Sequence, residues 1–203
     1  MMKQLLISLL ILTASALTID AGDFGPRWMT LMDDDGRPDT GWVMLSNPKS
    51  VLRKIIVLDF APALLEKAVL EYHIACNPYD PKQRVHVANA ASAGVKWANF
   101  IIRVNGHAIL DQPAESHIRK GRHRVVIPVG LLREGENRID FKWRQLPPEN
   151  PGGRQYGYIY FSVDTLKATP CHSLASADGG RSFKPDPRTE GQREFVVRLR
   201  IKL

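Results

Sequence analysis

The densest run of carboxylates in the sequence is Asp33-Asp34-Asp35-Gly36, followed by Asp39. Hard cations such as Ca2+ want several oxygen ligands at one place, and an acidic turn with a glycine offers them. Asp33, Asp35 and Asp39 are therefore the candidate metal ligands. No Glu stands at the closing position of an EF-hand loop, and a plain solvated turn accounts for the same residues.

A second cluster is basic: Arg119-Lys120-Gly121-Arg122-His123-Arg124, with His117 just ahead of it. Arginine offers two-pronged hydrogen bonds to sulfate and carboxylate, so Arg119, Lys120 and Arg122 are candidate contacts for an anionic ligand. The same residues on an edge strand would guard against strand-to-strand aggregation.

Sugar rings present flat apolar C–H faces, which sites match with an aromatic platform and planar polar groups. Tyr79, His86 and Trp97, around a long loop, are the candidate ligand-binding residues of this kind. Tyr156, Tyr158 and Tyr160 alternate on a later strand, where they could equally cover a half-buried sheet face. Trp42 and Trp143 are flanked by strand sequence and read as core.

For catalysis the sequence offers little. It contains no G-x-S-x-G, H-E-x-x-H, P-loop or G-x-G-x-x-G pattern, its six histidines are scattered, and no carboxylate pair announces an acid and a base. Retaining glycosidase pairs are distant in sequence, so a small polysaccharide-active enzyme stays as the third reading.

The elements that must position these groups are short. The 203 residues suit one domain. Lys3, the apolar run from Leu5 to Leu12 and the small residues Ala14, Ser15 and Ala16 have the build of a secretory signal peptide, with cleavage expected after Ala16 or Ala21. Residues 1–21 are then the signal and 22–203 a single domain, secreted, periplasmic or at the cell surface, with no transmembrane segment after signal removal. Export to an oxidising compartment would allow Cys76 and Cys171 to form a disulfide, and two buried thiols are the alternative. The 28 basic and 21 acidic residues give a net charge of +7, which favours anionic partners. Nucleic acid is not expected, because no groove-reading motif is present.

Beyond the signal, apolar blocks alternate with Gly, Pro, Asn and Asp, and no helix-length amphipathic period stands out. The expected strands are Trp42–Leu45, Leu52–Asp59, Ala68–Ala75, Ala98–Val104, Arg122–Pro128, Asn137–Arg144, Tyr156–Thr165 and Glu194–Leu203, which suit an all-β, two-sheet sandwich. In the last of these Phe195, Val197, Leu199 and Ile201 face one way and Arg198, Arg200 and Lys202 the other. Ala61–Lys67 could make one helical turn, and Asn77–Ser92 reads as a long loop, the usual seat of a binding surface.

Within this pattern, Phe100–Val104 runs into Asn105-Gly106, a turn tolerant of positive φ. Val125-Val126-Ile127-Pro128 leads to Leu132-Arg133-Glu134-Gly135-Glu136-Asn137, an L-x-x-G-x-N turn before the next strand. On these residues, with Ala68–His73 as an earlier strand, residues 50 to 165 resemble the galactose-binding-domain-like jelly rolls, the non-catalytic sugar-binding modules associated with glycoside hydrolases. The resemblance implies a jelly-roll β-sandwich, a glycan or polysaccharide ligand and, in many such modules, a structural calcium. It cannot supply the sugar contacts, which in these modules sit on loops that differ from protein to protein.

Ser176-Ala177-Asp178-Gly179-Gly180-Arg181-Ser182-Phe183 is similar to the Asp-box, S-x-D-x-G-x-T-W, which sialidase-like propellers repeat. Occurring once, it reads as a β-hairpin turn in which Asp178 accepts backbone N–H bonds. The leading expectation is thus a secreted carbohydrate-binding module-like protein. An extracytoplasmic structural or protein-interaction sandwich is the alternative.

Overall fold

Strand formation follows the alternation of side chains across a pleated chain. In the stretch Val51–Leu58 the core-facing positions are Leu52, Lys54, Ile56 and Leu58, and Arg53, Ile55 and Val57 point outward. The computed structural model describes residues 18–19, 27–32, 41–45, 49–77, 79–80, 85–86, 99–113, 121–143, 158–167, 171–185 and 193–203. In chain order the strands are β1 (Thr18–Ile19), β2 (Trp28–Leu31), β3 (Gly41–Leu45), β4 (Val51–Leu58), β5 (Lys67–Asn77), β6 (Tyr79–Asp80), β7 (Val85–His86) and β8 (Asn99–Val104). They continue with β9 (His107–Pro113), β10 (Gly121–Ile127), β11 (Gly135–Trp143), β12 (Tyr158–Lys167), β13 (Ser173–Ser176), β14 (Lys184–Pro185), β15 (Arg193–Phe195) and β16 (Val197–Lys202). The helical turn expected near Ala61 is a short 3-10 turn, Pro62–Leu64.

Two antiparallel sheets result, as a β-sandwich requires. The larger runs β1-β2-β16-β5-β12-β15, with β10 on the other edge of β5 and β3 also on β12. The smaller runs β14-β13-β4-β11-β8-β9. From β4 onward the chain passes repeatedly between the sheets, so each layer is built from segments distant in sequence. Such a layered arrangement closes one core between two amphipathic faces.

The expected single strand Glu194–Leu203 is broken at Val196. One edge of β5 is shared by two neighbours: Ile74 to Asn77 pair with β12, and Lys67 to Tyr72 pair with β16. Val196 sits at the fork, donating its N–H to Ser162 O at 2.9 Å and accepting the His73 N–H at 3.1 Å. The continuous apolar run Phe195-Val196-Val197 conceals this change of partner.

Aromatic rings fill the centre of the core. Phe141 from the smaller sheet and Phe161 from the larger have ring centroids 4.6 Å apart. Tyr72 lies 5.8 Å from Phe141, and Phe195 lies 6.3 Å from Phe161. Each fully buried ring of this size removes enough apolar surface from water to stabilise by roughly 2–3 kcal/mol, before the cost of ordering it.

The two turns that carry the family resemblance meet at one end of the smaller sheet. Asn105 has φ 50°, a left-handed conformation that asparagine tolerates. Its Nδ2 donates to Leu131 O at 2.8 Å and to Asn137 Oδ1 at 3.0 Å, and its Oδ1 accepts the Arg138 N–H at 3.0 Å. Asn137, fully buried, also accepts the Arg133 N–H and donates to the Arg133 and Gly135 carbonyls. This amide pair ties the β8–β9 turn to the start of β11, so the motif residues form scaffold.

Candidate functional site

The larger sheet turns a strongly basic outer face to its surroundings, composed by register. On β16 the inward residues are Val197, Leu199 and Ile201, which sends Arg198, Arg200 and Lys202 outward. Across β5 they meet β10, whose Arg122 and Arg124 are about half exposed. Arg124 and Arg198 both stand directly opposite Glu71, and Arg122 stands opposite His73. Arg200 pairs with Thr30, while Lys202 pairs with Trp28 on one side and Lys67 on the other.

Glu71 anchors the centre of this face. It is buried, its Oε2 accepts from Arg124 Nε at 2.9 Å, and Arg122 Nη1 lies 3.6 Å from its Oε1. One carboxylate thus holds two guanidinium groups from β10, and Arg198 stands opposite it in register on β16. At the β2 end, the Arg200 guanidinium lies over the Trp28 ring, 5.4 Å from its centroid, and Lys202 pairs with Glu66. An indole beside forked cations is the combination of flat apolar and planar polar groups that sugar acids fit.

Of the expected ligand residues, Arg122 is on this face. Tyr79 and His86 are register partners in the two-residue ladder of β6 and β7, so the backbone brings them opposite each other. Trp97, Arg119 and Lys120 lie outside the described residues, as do Asp33, Asp35 and Asp39, the expected calcium ligands. Among the described residues, no group of three or more His, Cys, Asp or Glu side chains could hold a metal ion. Trp28, Glu71, Arg198, Arg200 and Lys202 were not singled out as site residues by sequence reasoning. The outward alternation of the last three was visible, but their convergence with Arg122 and Arg124 depends on pairing through β5.

β10 pairs on one side only among the described residues, so it is an edge strand. The aggregation-guarding role of its arginines and an anion-binding role are compatible, because both need the guanidinium groups to point outward.

The Asp-box segment is a turn closed by its own side chains. Asp178 Oδ1 accepts the N–H groups of Arg181 at 2.9 Å and Ser182 at 3.1 Å, and Oδ2 accepts the Ser182 hydroxyl at 2.6 Å. Ser176 Oγ accepts the Gly180 N–H at 2.8 Å. Gly180 has φ 92°, a conformation a side chain would strain, although a Cβ there would meet Phe183 only at 3.6 Å. Phe183 in turn packs against Arg53, whose guanidinium carbon is 3.7 Å from the ring centroid and whose fork is held by Asp140 at 2.6 and 2.8 Å. The turn is thereby pinned to the outer face of the smaller sheet.

Hydrogen bonds from the Ser182 hydroxyl, then the Ser176 hydroxyl and the backbone, hold the Asp178 carboxyl well below the ordinary carboxylate range. Its folded pKa is depressed, so its contribution is present above the ordinary value of about 3.9 and is lost as pH falls from there toward the folded value. Thermal unfolding of the protein and of Asp178→Asn should therefore differ most above about pH 4 and converge as the solution is acidified below it. A difference in melting temperature that is independent of pH would refute this assignment.

A polar bridge crosses the core along the β13 edge of β4, where Lys54 stands opposite Ser173. Lys54 occupies a core-facing position and donates to Glu194 Oε2 at 2.6 Å, with side-chain exposures of 1% and 0%. The Ser173 hydroxyl donates to the same oxygen, the His172 N–H donates to Oε1 at 2.6 Å, and the Phe195 N–H donates to Ser173 Oγ at 2.8 Å. Asp164 Oδ1 accepts the Glu194 N–H at 3.1 Å. Lys54 and Ser173 belong to the smaller sheet and Glu194 to the larger, so the bridge is an inter-sheet tie.

Next to this tie Cys171 carries a thiol and is not in a disulfide. Its Sγ donates to Ser173 O at 3.3 Å, and burial pushes its pKa up. The thiol therefore stays protonated and weakly nucleophilic near neutral pH. Of the two readings of the cysteines, the Cys76–Cys171 disulfide is not formed, and Cys171 is a hydrogen-bonded thiol.

A scan against protein-family models returns no match to this chain, and neither does a search of curated proteins. Among the described residues no helix is long and apolar enough to cross a membrane.

Proposed function

We propose that the protein is an exported, non-catalytic carbohydrate-binding module with a galactose-binding-domain-like jelly-roll fold. The observation that carries the reading is the junction of Asn105 and Asn137. The turns that resemble the family in sequence are joined by a mutually satisfied amide pair whose Asn137 is fully buried, as shared scaffold residues should be. The passage of the chain between two antiparallel sheets supports the same reading. Export follows from the signal-like residues 1–21.

In such a module the sandwich holds the ligand contacts in place and performs no bond-making step. Affinity electrophoresis through neutral and acidic polysaccharides, together with a glycan array, tests this. Retarded migration in at least one polysaccharide, relieved by the matching oligosaccharide, is the expected result. Unchanged migration in all of them, with no signal on the array, would overturn the proposal.

A further inference from the structure

We infer that the outer face of the larger sheet, around Arg122, Arg124, Arg200, Lys202 and Trp28, is a docking surface for an acidic polysaccharide. The inference rests on the carbohydrate-binding reading and adds to it a surface and a ligand class.

Charge complementarity carries the argument. Five cations, Lys67, Arg122, Arg124, Arg200 and Lys202, stand on or beside three adjacent strands with two carboxylates, Glu66 and Glu71, among them, and Arg198, opposite Glu71 in register, is buried. Lys67 and Lys202 are directly opposite in register, and Glu66 pairs with Lys202, so two cations share one carboxylate. The other outer face is balanced differently. There Arg53 is gripped through both prongs by Asp140, and Arg138 lies 3.9 Å from Glu136. Among the described residues, Arg53, Arg103, Arg138 and Lys142 on that face stand with Glu136 and Asp140, a smaller positive excess than on the face of β16, β5 and β10.

The spacing suits a polymer rather than a point anion. Adjacent strands are about 4.8 Å apart and side chains on one face recur about every 6.8 Å along a strand, so the cations form a grid. A polymer carrying a carboxylate or sulfate on successive sugars can engage several grid points together. The forked guanidinium groups match the planar geometry of those anions, and Trp28 at the edge of the grid offers a ring on which a sugar can rest.

The test is binding of the protein to immobilised polygalacturonate and heparin, with neutral dextran and single-stranded DNA as comparison surfaces. Replacing Arg200→Gln and Lys202→Gln together should weaken binding to both acidic polysaccharides by about 100-fold, about tenfold per cation. Arg138→Gln with Lys142→Gln removes the same charge from the opposite sheet and should change binding less than about twofold. Trp28→Ala should weaken polygalacturonate binding by the same factor at low and high salt, because stacking is not screened as charge is. Thermal melts establish that each variant is folded.

Equal losses from the two double variants would reduce the effect to net charge and overturn the inference. So would DNA held as tightly as the polysaccharides, which would indicate a surface for any polyanion. Retention on neutral dextran alone, unaffected by either double variant, would overturn this inference and leave the carbohydrate-binding reading standing.

Discussion

Lys54→Ala should destabilise the protein by about 3–5 kcal/mol, among the largest losses of any single side chain here. The alanine leaves Glu194 wholly buried without its lysine partner. Ser173 and the His172 N–H still donate to the carboxylate, yet neither brings charge. Taking a carboxylate out of water costs several kcal/mol, and the ammonium group 2.6 Å away is what offsets that cost. For a domain of this size the loss corresponds to a melting temperature lower by roughly 10 °C.

The converse variant separates the charge from the shape. Lys54→Met with Glu194→Gln keeps an acceptor for the His172 N–H, fills most of the volume and removes both charges. It should recover most of the stability lost by Lys54→Ala, since well-packed neutral replacements of buried ion pairs are often neutral or stabilising. Urea unfolding of the single and double variants measures both quantities. A loss under about 1 kcal/mol for Lys54→Ala would mean that the pair does not hold the sheets together.

Little of this tie is legible in the sequence. Arg53 and Lys54 are adjacent charges inside a strand, and only strict alternation with Leu52, Ile56 and Leu58 points Lys54 inward. Its partner is 140 residues away on another layer, where no local pattern can reach. By contrast, the eight expected strands lie within two or three residues of observed ones, the last of them divided at Val196 and the seven-residue β9 absent from their number, because burial of one face imposes a period of two. The short strands Trp28–Leu31 and Ser173–Ser176 escape notice, having too few residues and too little apolar contrast to establish a period.

The basic face was legible in pieces. Arg198, Arg200 and Lys202 alternate visibly with apolar residues, and the Arg119–Arg124 run is conspicuous. That Arg124 and Arg198 stand opposite one buried glutamate follows only from β5 lying between β10 and β16, which is a property of topology. The side-chain hydrogen bonds of the Asp-box turn were legible, since they join residues within four positions of each other, whereas the Gly179 N–H, which donates to Lys49 O at 2.9 Å, lies beyond the reach of any local pattern.

Asn137→Ala should cost about 3–4 kcal/mol, and its effect on ligand binding should be indirect. The side chain makes four hydrogen bonds in a site closed to water, to Arg133 N, Arg133 O, Gly135 O and Asn105 Nδ2. Each such bond contributes about 1 kcal/mol net, and partners left unsatisfied in the interior add to the loss. Asn137→Asp is the more discriminating change. It keeps the acceptor for Asn105 and Arg133 but points a carboxylate oxygen at the Arg133 and Gly135 carbonyls, so it should cost nearly as much despite its shape. Because Asn105 and Asn137 share a bond, Asn105→Ala and Asn137→Ala should be less than additive, with a coupling of about 1 kcal/mol by double-mutant cycle. Strict additivity would dissolve the junction on which the family reading rests. Binding per folded molecule should be unchanged in all these variants, since the amide pair supports the turns and lies apart from the basic face. If Asn137→Ala instead abolished polysaccharide binding while the protein stayed folded, the turns at this end would belong to the binding surface itself.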